Sequence, residues 1–437
     1  MAGRSRRTPA SRHRRRPGAM NRGTAWLCLT LALAAGLFAC TREPENAATG
    51  DLPPGRYRAV LSVAGGDLPF GLELGTENGR PIAWLENGPE RVRVPDLQWQ
   101  GGLLTLRMPG YSHRLEARVV DGRLVGEVIF LRPRGVTRPV RFVAMRDQPY
   151  RFFPRPAATP LDFSGRWALT FRDASGTERR AIAELEQHGH EVHGTVLRAT
   201  GDDRYIAGEA RGDTLFLSRF DGGSAFLYLA RLGADGTLSG EFHTGGGAFE
   251  TWSGQRDPNA TLEDPARIAA LKPGIERIEF TFPDLDGLPR HFPDPRHRGQ
   301  VVIVTVGGSW CPNCHDEAAF LRELLATRRD RGLDVIQLMF EYSPDLAAAT
   351  EAARAFAAKF AIDYPVLVAG VTHDDDVLRK LPQLESFKAY PTMLIIDRGG
   401  RVRRVHTGFS GPATGVHYQA QNRELAAFVD ELLAEQV

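Results

Sequence analysis

The most explicit chemistry in the chain sits in its last third, at Cys311-Pro312-Asn313-Cys314, directly after Ser309-Trp310. The apolar run Val301-Val302-Ile303-Val304-Thr305-Val306 precedes it and ends on Gly307-Gly308, and a helical pattern follows to about Arg329. Cys311 therefore falls at a helix N-terminus, where unpaired N–H groups and the positive end of the macrodipole stabilise a thiolate. A thiolate there attacks a partner disulfide, and Cys314, one helical turn on, is placed to resolve the mixed disulfide. Pro312 in the first turn has no N–H to leave unsatisfied. A Cys-x-x-Cys can also be half of a zinc site, but zinc needs two further ligands and the chain has no second cysteine pair, so no metal is expected. Helical spacing places Cys314, Glu317, Ala318, Leu321, Leu324 and Leu325 on one stripe. A carboxylate on that stripe is desolvated, which raises its pKa and suits Glu317 for exchanging a proton with Cys314. The competing reading of Glu317 is a solubilising residue near the helix start. His315 and Asp316 point away from the stripe, with His315 still able to tune the thiolate.

Several elements must position this pair. After the first strand and helix, the pattern predicts a strand over 333–340, a helix over 346–360 and a strand over 364–368. A helix near 377–388 leads to Tyr390-Pro391-Thr392, and strands over 393–396 and 402–405 flank the hairpin Arg398-Gly399-Gly400. A helix over 423–435 closes the domain. Trp-Cys-x-x-Cys at a helix start, then further α and β elements, then x-Pro-Thr before a hairpin, is the order of the thioredoxin fold. Residues 276–437 resemble the exported TlpA/ResA-type thiol–disulfide oxidoreductases of the redoxin group, with Phe282-Pro283-Asp284-Leu285-Asp286-Gly287 matching their lead-in. The resemblance implies an acid–base role for Glu317 and a cis peptide before Pro391. It also implies a substrate surface formed by Trp310, Tyr390, Pro391 and Thr392. No cofactor is expected beyond the Cys311–Cys314 couple. The expected partners are disulfide-bearing exported proteins and a membrane thiol–disulfide electron donor.

The N-terminus reads as an address. From Met20 a short basic segment leads into an apolar run over 25–39, ending Leu37-Phe38-Ala39-Cys40. Fifteen residues at ~1.5 Å each fall short of a hydrocarbon layer of ~30 Å, so a signal is expected rather than a span. The last four residues resemble the bacterial lipoprotein box, which implies a lipid on Cys40 and a protein tethered to the cell envelope. Residues 1–39 would be the signal and 40–50 a tether. That signal holds eight Arg and no acidic residue, so its removal takes the formal charge from +2 to −6. A near-neutral precursor with an acidic mature form gives no case for a nucleic-acid partner. Apolar content of 42% and charged content of 25% exclude wholesale disorder.

Between the tether and the redox unit the chain alternates apolar and polar residues, with turns every ten or so positions. It reads as a duplication, over 51–150 and 160–258. Gly55-Arg56-Tyr57 matches Gly165-Arg166-Trp167, Asp121-Gly122 matches Asp235-Gly236, and Arg146-Asp147 matches Arg256-Asp257. Each copy is expected to be a meander forming a small barrel or sandwich, with a linker over 259–275. The fold class is thus a duplicated all-β region followed by an α/β thioredoxin-like domain. His188, His190 and His193 are read as a solvent-facing hairpin cluster. Two other functions compete with disulfide exchange. A thiol peroxidase wants Ser or Thr three residues before its cysteine, where this chain has Gly308. A non-enzymatic lipoprotein would hold Cys311–Cys314 as a structural bond only.

Overall fold

The computed structural model describes residues 52–155, 159–264 and 268–436; the signal, Cys40 and the tether lie outside them. Among the described residues no helix is long and apolar enough to cross a membrane.

The first β unit runs from Gly55–Val63 to Val136–Arg146 as a nine-stranded meander. Its first and last strands pair antiparallel, and Glu90–Val94 and Leu97–Gln100 are its edges. The second unit, from Gly165–Arg172 to Phe249–Arg256, closes completely. Strand Glu178–His188 bonds to Gly165–Arg172 on one side and Glu191–Arg198 on the other, giving an eight-stranded barrel. Closure removes the exposed edges that the first unit keeps. Alternation drives burial in both: Trp167, Leu169 and Phe171 point inward from a single strand.

The duplication is visible in the hydrogen bonds. Tyr57 faces Arg146 and Trp167 faces Arg256, while Asp147 N donates to Arg56 O (2.9 Å) and Asp257 N to Arg166 O (3.0 Å). Glycine recurs for one reason in both copies: a Cβ on Gly126 would collide with the Glu116 carbonyl oxygen, and one on Gly240 with that of Leu229. The matched turns have diverged. Asp121 and Gly122 both adopt positive φ, the two-residue hairpin geometry. In the other copy only Gly236 does, within a longer loop.

The two units share apolar interior. Phe220, Ala225 and Leu227 of the barrel complete the core of the first unit, with Phe220 edge-on to Phe70 at 4.9 Å. The Asn87 side-chain amide donates to Phe220 O and accepts from Phe220 N, both at 3.0 Å.

The C-terminal domain holds a five-stranded sheet in the order β3-β2-β1-β4-β5, where β1 is Val301–Gly307, β2 Leu333–Glu341, β3 Val366–Val371, β4 Thr392–Ile396 and β5 Val402–Thr407. β1, β2 and β3 are parallel, and β4 runs antiparallel to β1. Helices α1 (Pro312–Arg328), α2 (Leu346–Phe360), α3 (Asp374–Lys380) and α4 (Val416–Ala434) complete the thioredoxin-like fold. β1 is buried along its whole length, as a central strand covered on both faces must be. Asp345 caps α2 by accepting from Ala348 N at 2.8 Å, and Ala361 ends it in the left-handed region.

Two expectations need correction. The helix placed near 377–388 is α3 followed by a short strand, Leu384–Ser386, because Pro382 cannot continue a helix. The closing helix begins at Val416 rather than 423; its first two turns are largely polar and carry no apolar stripe to reveal them. Within the linker, Ala270–Leu271 pairs with Leu384–Ser386.

Candidate active site

β1 delivers the loop Gly308-Ser309-Trp310 to the start of α1, where Cys311 is the N-cap residue. Its Sγ accepts from the backbone N of Cys314 at 3.2 Å, so a sulfur with negative character is met by a helix N–H. Cys311 and Cys314 form a disulfide with Cα atoms 5.2 Å apart. Both are buried, Cys311 to 4% exposure.

The loop ahead of the pair is pinned from β2. Glu341 accepts from Ser309 N (2.8 Å) and from Ser309 Oγ (2.7 Å), and burial pushes its carboxyl up to about 7. Trp310 donates its indole N–H to Phe340 O at 2.8 Å, stacks on Tyr342 and meets Tyr390 edge-on. Sequence reasoning passed over Glu341. Its signal was an acid closing a mostly apolar strand pattern, Val335-Ile336-Gln337-Leu338-Met339-Phe340-Glu341.

Glu317 lies on the predicted stripe and is fully buried, at 0% exposure. Thr305 Oγ1 donates to its Oε2 at 2.5 Å, while Oε1 has no hydrogen-bond partner. Burial raises its pKa to about 8, with the Thr305 bond pulling the other way. The Gln337 amide and the Tyr364 hydroxyl are also buried without partners. Gln337 is close to Cys314, because a Cβ built on Gly307 would lie 2.8 Å from Gln337 Nε2 and 3.4 Å from Cys314 Sγ.

The Tyr390–Pro391 peptide is cis, as the resemblance implied. Pro391 O accepts from Gly408 N at 2.7 Å. Thr392 is wholly buried and its hydroxyl donates to Ala389 O, so its side chain faces the interior rather than a substrate.

His315 and Asp316 do leave the stripe, but they do not reach solvent. His315 is stacked on Tyr111 of the first unit at 4.1 Å. The Lys359 ammonium donates to its Nδ1 (2.7 Å), which leaves Nε2–H to donate to Ser309 O (2.7 Å). Burial and Lys359 hold the imidazole neutral, well below its usual pKa, and burial lowers Lys359 to about 8. Asp316 receives both oxygens' worth of Arg204, at 2.8 Å each, from the second barrel. Burial, with Asp202 and Glu90 nearby, raises Asp316 to about 7 against the pull of Arg204. Asn313, the spacer residue between the cysteines, donates to Asp202 O (3.3 Å) and Oδ1 (3.1 Å).

His188 and His193 stack, His193 pairs with Glu186, and no cluster able to hold a metal ion occurs among the described residues.

Residues 279–417 match the redoxin family model. The thiol–disulfide oxidoreductase ResA of Geobacillus thermodenitrificans is 25% identical over 139 residues, covering 32% of this chain and 71% of that protein. The thiol:disulfide interchange protein DsbE of Vibrio cholerae is 27% identical over 101 residues, covering 23% and 51%. A thioredoxin-family thiol:disulfide interchange protein of Chlorobium tepidum aligns in structure over 38% of this chain and 100% of its own, at 18% identity and a TM-score of 0.28. The match begins after the last strand of the β units, Phe249–Arg256, and it contains the Cys pair, the buried Glu317 and the cis-proline loop. Residues 279–417 thus match the redoxin family and are similar to ResA-type proteins, which supports a thioredoxin-like disulfide oxidoreductase.

Proposed function

We propose that the protein is exported, held to a membrane by a lipid on Cys40, and reduces disulfides in proteins outside the cytoplasm. The observation that carries the chemistry is Cys311 at the N-cap of α1, with Cys314 and the buried Glu317 behind it. In the reduced protein the Cys311 thiolate attacks one sulfur of a partner disulfide. A bond forms between Cys311 and the partner, and the partner's other sulfur leaves as a thiolate. Glu317, ionised, takes the proton of Cys314, whose thiolate then attacks Cys311 Sγ. The Cys311–Cys314 bond forms and the second partner thiolate departs. Two electrons pass to the partner, and the oxidised pair is then reduced back to two thiols by a dithiol donor, itself oxidised to a disulfide, for which a membrane thiol–disulfide protein is suited. Trp310 directly precedes the pair and meets Tyr390 of the cis-proline loop edge-on, and with Pro391 these residues form the surface proposed to meet a partner.

A Cys314→Ser variant arrests the first intermediate and should retain partner proteins as mixed disulfides. Titration of the wild-type couple against glutathione tests direction, and a potential near about −120 mV would mark an oxidant and overturn the reductant reading. Cys40→Ser should release the protein from the membrane fraction.

A further inference from the structure

A nucleophilic cysteine works from a partly exposed position, yet Cys311 is 4% exposed. Residues 199–204 of the second barrel lie against the two segments that border the disulfide. Gly201 is so close to Asn313 that a Cβ would collide with that side chain, and Asp202 accepts from Asn313 Nδ2 and from Gly411 N (2.5 Å). Thr200 backbone atoms would lie 2.5–2.6 Å from a Cβ on Gly408, the residue bonded to the Pro391 carbonyl. The segment thus runs from the spacer of the cysteine pair to the neighbour of the cis-proline, where a partner's chain must lie to bring a sulfur onto Cys311. On the opposite flank, Gly135 N of the first unit donates to Tyr342 O at 3.1 Å, beneath the Trp310 ring.

Two open grooves border the segment, the first lined by Thr200, Phe226, Phe242 and Lys388, the second by Gly201, Gly408 and Phe409. Buried charge adds to the packing that holds it. Arg204 binds both oxygens of Asp316 and, at 2.7 Å, Glu90 of the first unit. One side chain therefore ties together all three parts of the chain.

We propose that residues 199–204 are an intramolecular cover occupying the partner's place at Cys311, so that disulfide exchange requires the second barrel to lift from the redoxin domain. The proposal rests on the reading that Cys311 is the exchanging sulfur. Dithiothreitol provides the test on the full chain: its thiolate attacks Cys311 Sγ, Cys314 leaves as a thiolate, and its second thiol closes the ring, releasing Cys311. The dithiol is oxidised by two electrons and the protein pair is reduced.

With a cover, the reduction rate of the wild type, followed by Trp310 fluorescence, should level off as dithiothreitol rises, because opening becomes limiting. Arg204→Ala, which strips the latch, and Gly201→Leu, which wedges the segment from Asn313, should each raise the rate by about tenfold or more. A straight line in dithiothreitol, with the same slope in all three proteins, overturns the cover. Should the variants fail to fold, the wild-type curve decides alone, a plateau supporting the cover and a straight line refuting it. Cys311→Ser separates the two readings. If that variant still exchanges thiols at Cys314, the site reading fails; if it is inert while the curves are straight and equal, only the cover fails.

Discussion

Glu317→Gln is the substitution that most directly interrogates the proton path. The change keeps shape and keeps an acceptor for the Thr305 hydroxyl, which donates at 2.5 Å, but removes the ability to ionise. With a pKa of about 8, roughly one carboxyl in eleven is ionised at pH 7 and ten in eleven at pH 9. The step that needs the base, proton removal from Cys314, should therefore accelerate about tenfold over that interval in the wild type. It should lose this inflexion in Glu317→Gln and slow by about a hundredfold at pH 8. A symmetric aromatic disulfide with a coloured thiolate separates the steps in a single turnover of reduced protein. The first thiolate appears when Cys311 attacks and the second when Cys314 resolves. The second phase is intramolecular, so access to the site does not distort it. Cys314→Ser should release only the first thiolate. A second phase with one pH profile in the wild type and in Glu317→Gln would refute the base assignment.

Three further outcomes follow from the buried groups and the barrel. Glu317 and Glu341 have folded pKa values raised above 4.5, so their stabilising protonation is complete below pH 4.5 and is lost as pH rises through about 7 to 8. Thermal melts of the oxidised protein should accordingly show a lower Tm at pH 9 than at pH 5, and a smaller drop in Glu317→Gln. Glu341→Ala leaves the Ser309 N–H and hydroxyl buried without acceptors, at a cost of about 1–3 kcal/mol in urea unfolding, with altered Trp310 fluorescence. Gly240→Ala forces a Cβ against the Leu229 carbonyl and should destabilise the second barrel by about 1–3 kcal/mol, read as a lower urea midpoint.

What could be read in advance follows from where the information lies. The cis peptide before Pro391 was legible only through the family resemblance, since a proline before a hairpin fits an ordinary turn as well. The redox pair and Glu317 belong to local patterns: a strand running into a helix, and a stripe at helical spacing. Each leaves a mark within a few residues. The fate of His315 and Asp316 does not, because Tyr111 and Arg204 reach them from 204 and 112 positions away. The register that closes the second barrel is equally non-local. Glu178–His188 alternates like its neighbours, and nothing in it announces a partner on both edges. Glu341 was legible in principle, as an acid closing a mostly apolar strand.

The interior shared by the two β units bears on how this chain can change. A freshly duplicated segment is expendable, since either copy can be lost, swapped or recombined without harm to the other. Here that independence is gone. A chain cut before Gly165 would leave Phe70 without the Phe220 ring and the Asn87 amide without the backbone that satisfies it. Neither repeat is an exchangeable module any longer. Deletions should be tolerated only when both repeats go together, and the two copies must from then on mutate in concert.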